Sequence, residues 1–250
     1  MDSVPKQIKD MEYFISSGVD AILISPKVAE ELTPIVSKAF SANIPVFVLD
    51  RDVANDRYVQ YIGGDNREIG RAAGRRAIEL LGGTGNAKGN VIEIWGGMAS
   101  TPANNRHEGF IEMISKEPGI TIINSPKDGD WKQDLSYEIM ADELESHAQI
   151  DLVYAHNDPM AYGAYLAAQD VNREANIFFL GIDGIPEEGV KWVHDGILNA
   201  TFLYKTPGDE GIRQALRFLQ GQPVKKRLIL PTLTIDKSNA LLIMRQHDIK

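Results

Sequence analysis

In Asn43-Ile44-Pro45-Val46-Phe47-Val48-Leu49-Asp50-Arg51-Asp52, four consecutive apolar residues follow a proline and stop abruptly in acid, base, acid. A short continuous apolar run rich in β-branched and aromatic residues is the pattern of a strand buried on both faces of a parallel sheet. Such a strand carries Asp50 and Arg51 together to its carboxyl end, where open α/β sheets gather their ligands. The competing reading of the pair is a strand-end ion pair or a turn cap.

The chain on either side supplies the frame for that strand. Upstream, Ile8, Met11, Phe14 and Ile15 fall at helical spacing within Pro5–Ser17, and Gly18 stops the helix. Residues 20–25 then read as a strand and Ala29–Ala42 as a helix with Leu32, Ile35, Val36, Ala39 and Phe40 on its inner face. Downstream, an extended Tyr58–Gly64 leads into Asp65 and Asn66, residues suited to cap a helix over 68–81. The glycine-rich loop 82–89 follows a helix and opens a strand, the reverse of a phosphate loop, and it lacks the Gly-Lys-Ser/Thr ending.

The same rhythm continues to the C-terminus. Strands are expected at 91–95, 121–124, 151–155, 177–182 and 200–204, with helices over 103–115, up to His147, from Pro159, over 187–194 and over 209–219, and 228–235 reads as extended. Strands alternating with helices imply parallel sheets and right-handed crossovers, in a (β/α)8 barrel or in doubly wound sheets.

Composition narrows the function. A net charge of −9 argues against a nucleic-acid partner, and Lys225-Lys226-Arg227, the one basic block, reads as a solvated loop. With no cysteine, disulfides, thiol catalysis and Cys-based zinc sites are excluded. No apolar run approaches the ~20 residues of a membrane helix, and residues 1–6 lack the apolar core of a signal peptide.

The polar residues collect at strand ends: Asp50, Arg51, Trp131, Asn157, Asp183 and Tyr204, with Arg106 in the first turn of its expected helix. Carboxylates accept from paired hydroxyls, guanidinium and amide groups donate to ring and hydroxyl oxygens, and an aromatic face covers the C–H side of a sugar. The set is suited to a neutral polyol. Asp50 and Asp183 would serve as a glycosidase pair only at a separation of about 5–9 Å, which sequence does not supply. No Gly-x-Ser-x-Gly or His-Glu-x-x-His occurs. His107 and His147 read as structural, His156 as bordering the cleft without a catalytic role, and Met98 as core. No catalytic residue, metal ligand or cofactor is called for.

Residues 42–51, Gly64-Asp65-Asn66, Arg106-His107-Glu108-Gly109-Phe110, residues 155–161 and Gly181-Ile182-Asp183-Gly184 resemble, in order, the signatures of type I periplasmic sugar-binding proteins, the ribose- and galactofuranose-binding group. The resemblance implies two Rossmann-like lobes with parallel sheets flanked by helices, joined by crossings near 64, 205 and 231. Residues 1–64 and 205–230 would form the first lobe, and 65–204 with 231–250 the second. Asp50 and Arg51 would hold sugar hydroxyls from the first lobe and Arg106, Asn157 and Asp183 from the second. Trp131 would stack on the sugar and Tyr204 would lie near a hinge. The partners implied are a monosaccharide and an ABC permease or membrane sensor, in the periplasm or outside the cell. The effector core of a lactose-repressor-type regulator shares the fold, but no helix-turn-helix segment occurs here. The likeness starts after the family's first β-α-β portion, so about 40 residues of the first lobe, one central strand among them, are expected to be lacking.

Overall fold

A computed structural model describes residues 3–249. In chain order the elements are α1 (Val4–Ser17), β1 (Ile22–Ile24), α2 (Ala29–Ser41), β2 (Val46–Leu49), β3 (Gln60–Gly64), α3 (Asn66–Leu80), β4 (Lys88–Trp95), α4 (Thr101–Ile114), β5 (Gly119–Ile122) and β6 (Lys127–Asp128). There follow α5 (Gln133–Ser146), β7 (Leu152–Ala155), α6 (Asp158–Asp170), β8 (Phe178–Leu180), α7 (Lys191–Asp195), β9 (Thr201–Phe202), α8 (Gly208–Leu219), β10 (Arg227–Leu230), β11 (Thr234–Ile235) and α9 (Ala240–Gln246). They form two compact units: Met1–Asp65 with Ala99–Pro102 and Lys205–Pro231, and Asn66–Met98 with Ala103–Tyr204 and Thr232–Lys250. The segment Ala99–Pro102, which the sequence places in the second lobe, groups with the first unit, where Thr101 Oγ1 accepts from Asp52 N–H at 3.1 Å.

The first unit is a four-stranded parallel sheet in the order β1-β2-β3-β10. Because side chains alternate along a strand, Val46 and Val48 of β2 join the core under α1 and α2 with Met11, Leu32 and Val36, while Phe47 joins Ile62, Ala215 and Leu230 under α8. The opening run is therefore buried on both faces, as its unbroken apolar pattern requires. The four strands pair without a gap.

The second unit is built on β5-β4-β7-β8, all parallel, with β6 beside the end of β4. Ile92, Val153 and Phe179 face α5, α6 and α9; Val91, Leu152 and Leu180 face α3 and α4. A methyl group at Gly70 or Gly109 would collide with backbone of Arg106 or Arg67, so glycine sets how closely α3 and α4 approach. β9 joins through isolated parallel bridges, Leu180 to Ala200 and Asp183 to Leu203.

The extended run 228–235 divides at Pro231, which cannot donate to a ladder, into β10 in the first unit and β11 antiparallel to β9 in the second. Several expectations are corrected. The helix expected at 187–194 is a π turn, Pro186–Val190, continued by α7, and α9 has no counterpart in the sequence reading. Met98 is 36% exposed and is not core. Lys225-Lys226-Arg227 is not a plain solvated loop: the Lys226 ammonium donates to the carbonyls of Asp56 and Tyr58 over the Tyr58 ring, and Arg227 opens β10 over the Tyr61 ring, paired to Asp52 at 2.7 Å. In the glycine-rich loop, Gly85 N–H lies 2.9 Å from both oxygens of Glu117, so its anion is the chain's own carboxylate.

Candidate functional site

Arg106 organises the strand ends of the second unit. It lies in the second turn of α4, because the helix starts two residues earlier than expected, and it is 3% exposed. Its Nε donates to Asn66 Oδ1 at 2.9 Å, Nη1 donates to the backbone carbonyl of His156, and Nη2 lies 4.0 Å from Asp183 Oδ1. The guanidinium carbon sits 5.4 Å from the centre of the Trp131 ring and 5.2 Å from that of Tyr204. Cation–π attraction between two aromatic faces, with hydrogen bonds in the guanidinium plane, fixes this side chain from all sides. Asn66, which the sequence suggests only as a helix cap, is the first residue of α3 and holds Arg106.

Around Arg106 stand the other predicted residues of this unit. Asn157 caps α6: its Oδ1 accepts from Met160 N–H at 2.9 Å, while Nδ2 donates to the Trp131 carbonyl at 3.2 Å. Trp131 follows Asp130, and both have positive φ, 63° and 46°. Asp128 Oδ1 takes the Asp130 N–H at 2.7 Å and its Oδ2 takes the Met98 N–H at 3.0 Å, which ties this bent loop down. Gly96 and Gly97 form the bed of the Trp131 ring, since a Cβ at either would run into it. Asp183 has φ 129°, its N–H donates to the Phe202 carbonyl and its own carbonyl accepts from Tyr204 N–H at 2.9 Å. The structure thus gathers Arg106, Trp131, Asn157, Asp183 and Tyr204 of the predicted set.

Beneath Arg106 lies a polar cluster absent from the predicted set. Glu93, 2% exposed on β4, accepts from His107 Nδ1 at 2.8 Å and from the fully buried His156 Nε2 at 3.1 Å. A carboxylate only accepts, which fixes the His156 proton on Nε2. Burial pushes Glu93 up, but the two histidine hydrogen bonds outweigh it and hold the carboxyl below its ordinary range; burial holds His156 below the usual imidazole value. One signal was readable: a lone Glu inside Val91-Ile92-Glu93-Ile94-Trp95 needs a buried partner. His147 pairs with Glu143 at 3.1 Å, a structural role.

In the first unit, Asp50 closes β2 with φ 62°. Its N–H donates to the Ile62 carbonyl and its carbonyl accepts from the Tyr61 hydroxyl at 2.8 Å. The carboxylate lies 3.8 Å from Arg51 Nε and 3.5 Å from Ser25 Oγ. Asp50 and Asp183, one per unit, therefore both hold backbone that L-residues seldom adopt. Neither φ is legible in sequence. Among the described residues no group of three or more His, Asp or Glu could hold a metal, and no helix is long and apolar enough to cross a membrane.

Comparison with known proteins gives a consistent result. The family described as periplasmic binding protein domain matches residues 2–223. The galactofuranose-binding protein YtfQ of Escherichia coli is 34% identical over 203 residues, 78% of this chain and 62% of that protein. The ribose import binding protein RbsB of the same organism is 30% identical over 224 residues, 89% of this chain and 73% of that protein. Among solved structures, the fructose binding periplasmic domain of the hybrid two component system BT1754 superposes with TM-score 0.94 at 40% identity, covering 99% of this chain and 81% of that one.

Proposed function

The chain belongs to the periplasmic binding protein family, a family of binding proteins rather than enzymes, and we propose that it binds a monosaccharide and releases it unchanged. One observation carries this reading: Arg106, buried between Trp131 and Tyr204, stands with Asn157 and Asp183 at the strand ends of one unit. Donors and acceptors converge there beside aromatic surface, as a polyol requires. In the first unit, Asp50 and Arg51 at the end of β2 offer a carboxylate and a guanidinium of the same chemistry.

Delivery to an ABC-type sugar importer, in the periplasm or outside the cell, is the partner reading that the relatives named for galactofuranose binding and ribose import support. A second reading, the sugar-sensing domain of a signalling receptor, is favoured by the 40% identity to the fructose binding domain of a two component system. Permease and ATPase genes beside the coding sequence support the first, a kinase fused or adjacent the second. Calorimetric titration with D-fructose, D-ribose, D-xylose and D-galactose tests binding itself: heat from at least one sugar is expected, and none from any of them refutes the proposal.

A further inference from the structure

Asp158 is the first residue of α6, fully buried, and belongs to none of the groups offered to the sugar. Its Oδ2 accepts from Gly184 N–H at 2.8 Å and from Thr201 Oγ1 at 2.9 Å, and its own N–H donates to the Ile182 carbonyl at 2.7 Å. One carboxylate therefore joins three elements: the start of α6 just after Asn157, the turn Gly181–Gly184 that carries Asp183, and β9, which runs into Tyr204. Gly181 and Gly189 close over it, and a methyl group at either would collide with the carboxylate oxygens. Two glycines and a threonine on separate elements are thus shaped around this one side chain.

The turn it holds is not one the backbone would keep unaided. Asp183 has φ 129° and Gly184 φ 65°, and a non-glycine residue in the first of these conformations persists only when its surroundings impose it. The bond from Gly184 N–H to Asp158 is a constraint placed directly after the strained residue. It stands next to a buried anion at the N-terminus of α6, where the helix dipole favours negative charge.

We propose that Asp158 is the positioning residue of the second unit's binding set: through Gly184 and Thr201 it fixes Asp183, Asn157 and Tyr204 in their relative places. This rests on the sugar-binding reading above. The acceptor atom is what matters, so a neutral isostere that still accepts both bonds keeps the geometry.

The test combines calorimetry, using whichever of D-fructose, D-ribose, D-xylose or D-galactose the wild type binds, with amide hydrogen exchange at Gly184. In Asp158→Ala the Gly184 amide is expected to exchange at least tenfold faster while the amides of Ile92 and Val153 stay protected, and the sugar to bind at least tenfold more weakly, as befits loss of a charge-assisted hydrogen bond. Asp158→Asn is expected to restore both within about threefold. Thr201→Val, close to isosteric, keeps the test open should the alanine variant not fold; a loss of about threefold or more in affinity is expected. Wild-type binding with unchanged affinity in Asp158→Ala or Thr201→Val overturns the positioning role. So does an asparagine variant as weak as the alanine one. A wild type that takes no sugar, with Gly184 exchange behaving as expected, overturns the functional reading instead.

Discussion

Arg106 and Arg51 are both guanidinium groups at strand ends, yet the two units hold them differently. Arg106 is sealed by Asn66, the His156 carbonyl and two aromatic rings. The Arg51 side chain is 20% exposed, with Nε 3.8 Å from its neighbour Asp50. The second unit has built its guanidinium into the core, and the first carries its pair at the lip of a strand. On the proposed function, a residue of the first kind would serve stability and recognition together, and one of the second kind would weigh more on recognition than on stability.

The comparison breaks most visibly at Arg106. Replacing Arg106 with Ala leaves Asn66 Oδ1 and the His156 carbonyl buried without their donor, so the folded state is expected to lose about 2–4 kcal/mol. Sugar binding should fall at least 100-fold, about 2.7 kcal/mol. Denaturant melts and calorimetry on the same preparation measure both, and a variant that loses binding at full stability would contradict the dual role.

Next in size is a pH effect confined to the second unit. Burial pushes the Asp158 carboxyl up to about 6, the bonds from Thr201 and Gly184 only partly opposing it. The folded chain therefore holds this proton more tightly than the unfolded chain, whose carboxyl titrates near ~3.9. Its contribution to stability is complete below that value and is lost as pH rises through about 6, a change of up to about 3 kcal/mol. Asp158→Asn cannot titrate, so its stability relative to wild type should climb between pH 4 and pH 7; parallel melting curves across that range would refute the assignment.

Truncating Asp183 to Ala should weaken sugar binding more than tenfold, about 1.4 kcal/mol, with little change in melting temperature, since its side chain is 29% exposed. Unchanged affinity would mean that the carboxylate does not meet the ligand. Arg51→Ala should also weaken binding but cost the fold no more than about 0.5 kcal/mol, the ordinary size of a partly solvated change. A loss on the scale of Arg106 would erase the distinction between the units.

The smallest effect sharpens it. Asp50 keeps φ 62°, a conformation that glycine adopts without steric cost. Asp50→Gly should leave thermal stability level or raise it by up to about 1 kcal/mol while weakening sugar binding. That pattern, read by calorimetry, would show that the carboxylate is kept for ligand at the expense of backbone ease.

Much of this was open to reading beforehand. The unbroken run Val46–Leu49 told of a strand covered on both faces, and polar residues recurring after each apolar run told of strand-end chemistry, because period and composition act locally. Five of the predicted residues, Arg106, Trp131, Asn157, Asp183 and Tyr204, do stand together. The antiparallel pairing of β11 with β9 was not readable, since which strand a short segment joins depends on partners far along the chain. Nor was the role of Asp158, which beside Asn157 and Pro159 looks like any helix-opening acid.

Sequence by itself determined the alternation of strand and helix, the acidic charge, the absence of thiol chemistry and the residue types gathered at strand ends. Only the tertiary structure decided that Asn66 holds Arg106, that Glu93 takes two histidines, that Gly96 and Gly97 bed a tryptophan, and that one buried carboxylate secures three elements. The reason is physical: periodicity records which face of an element avoids water, a property each segment carries alone. Hydrogen bonds between buried groups join residues 40 and 63 positions apart, Asn66 with Arg106 and Glu93 with His156, and they exist only once the chain has brought those groups out of water together.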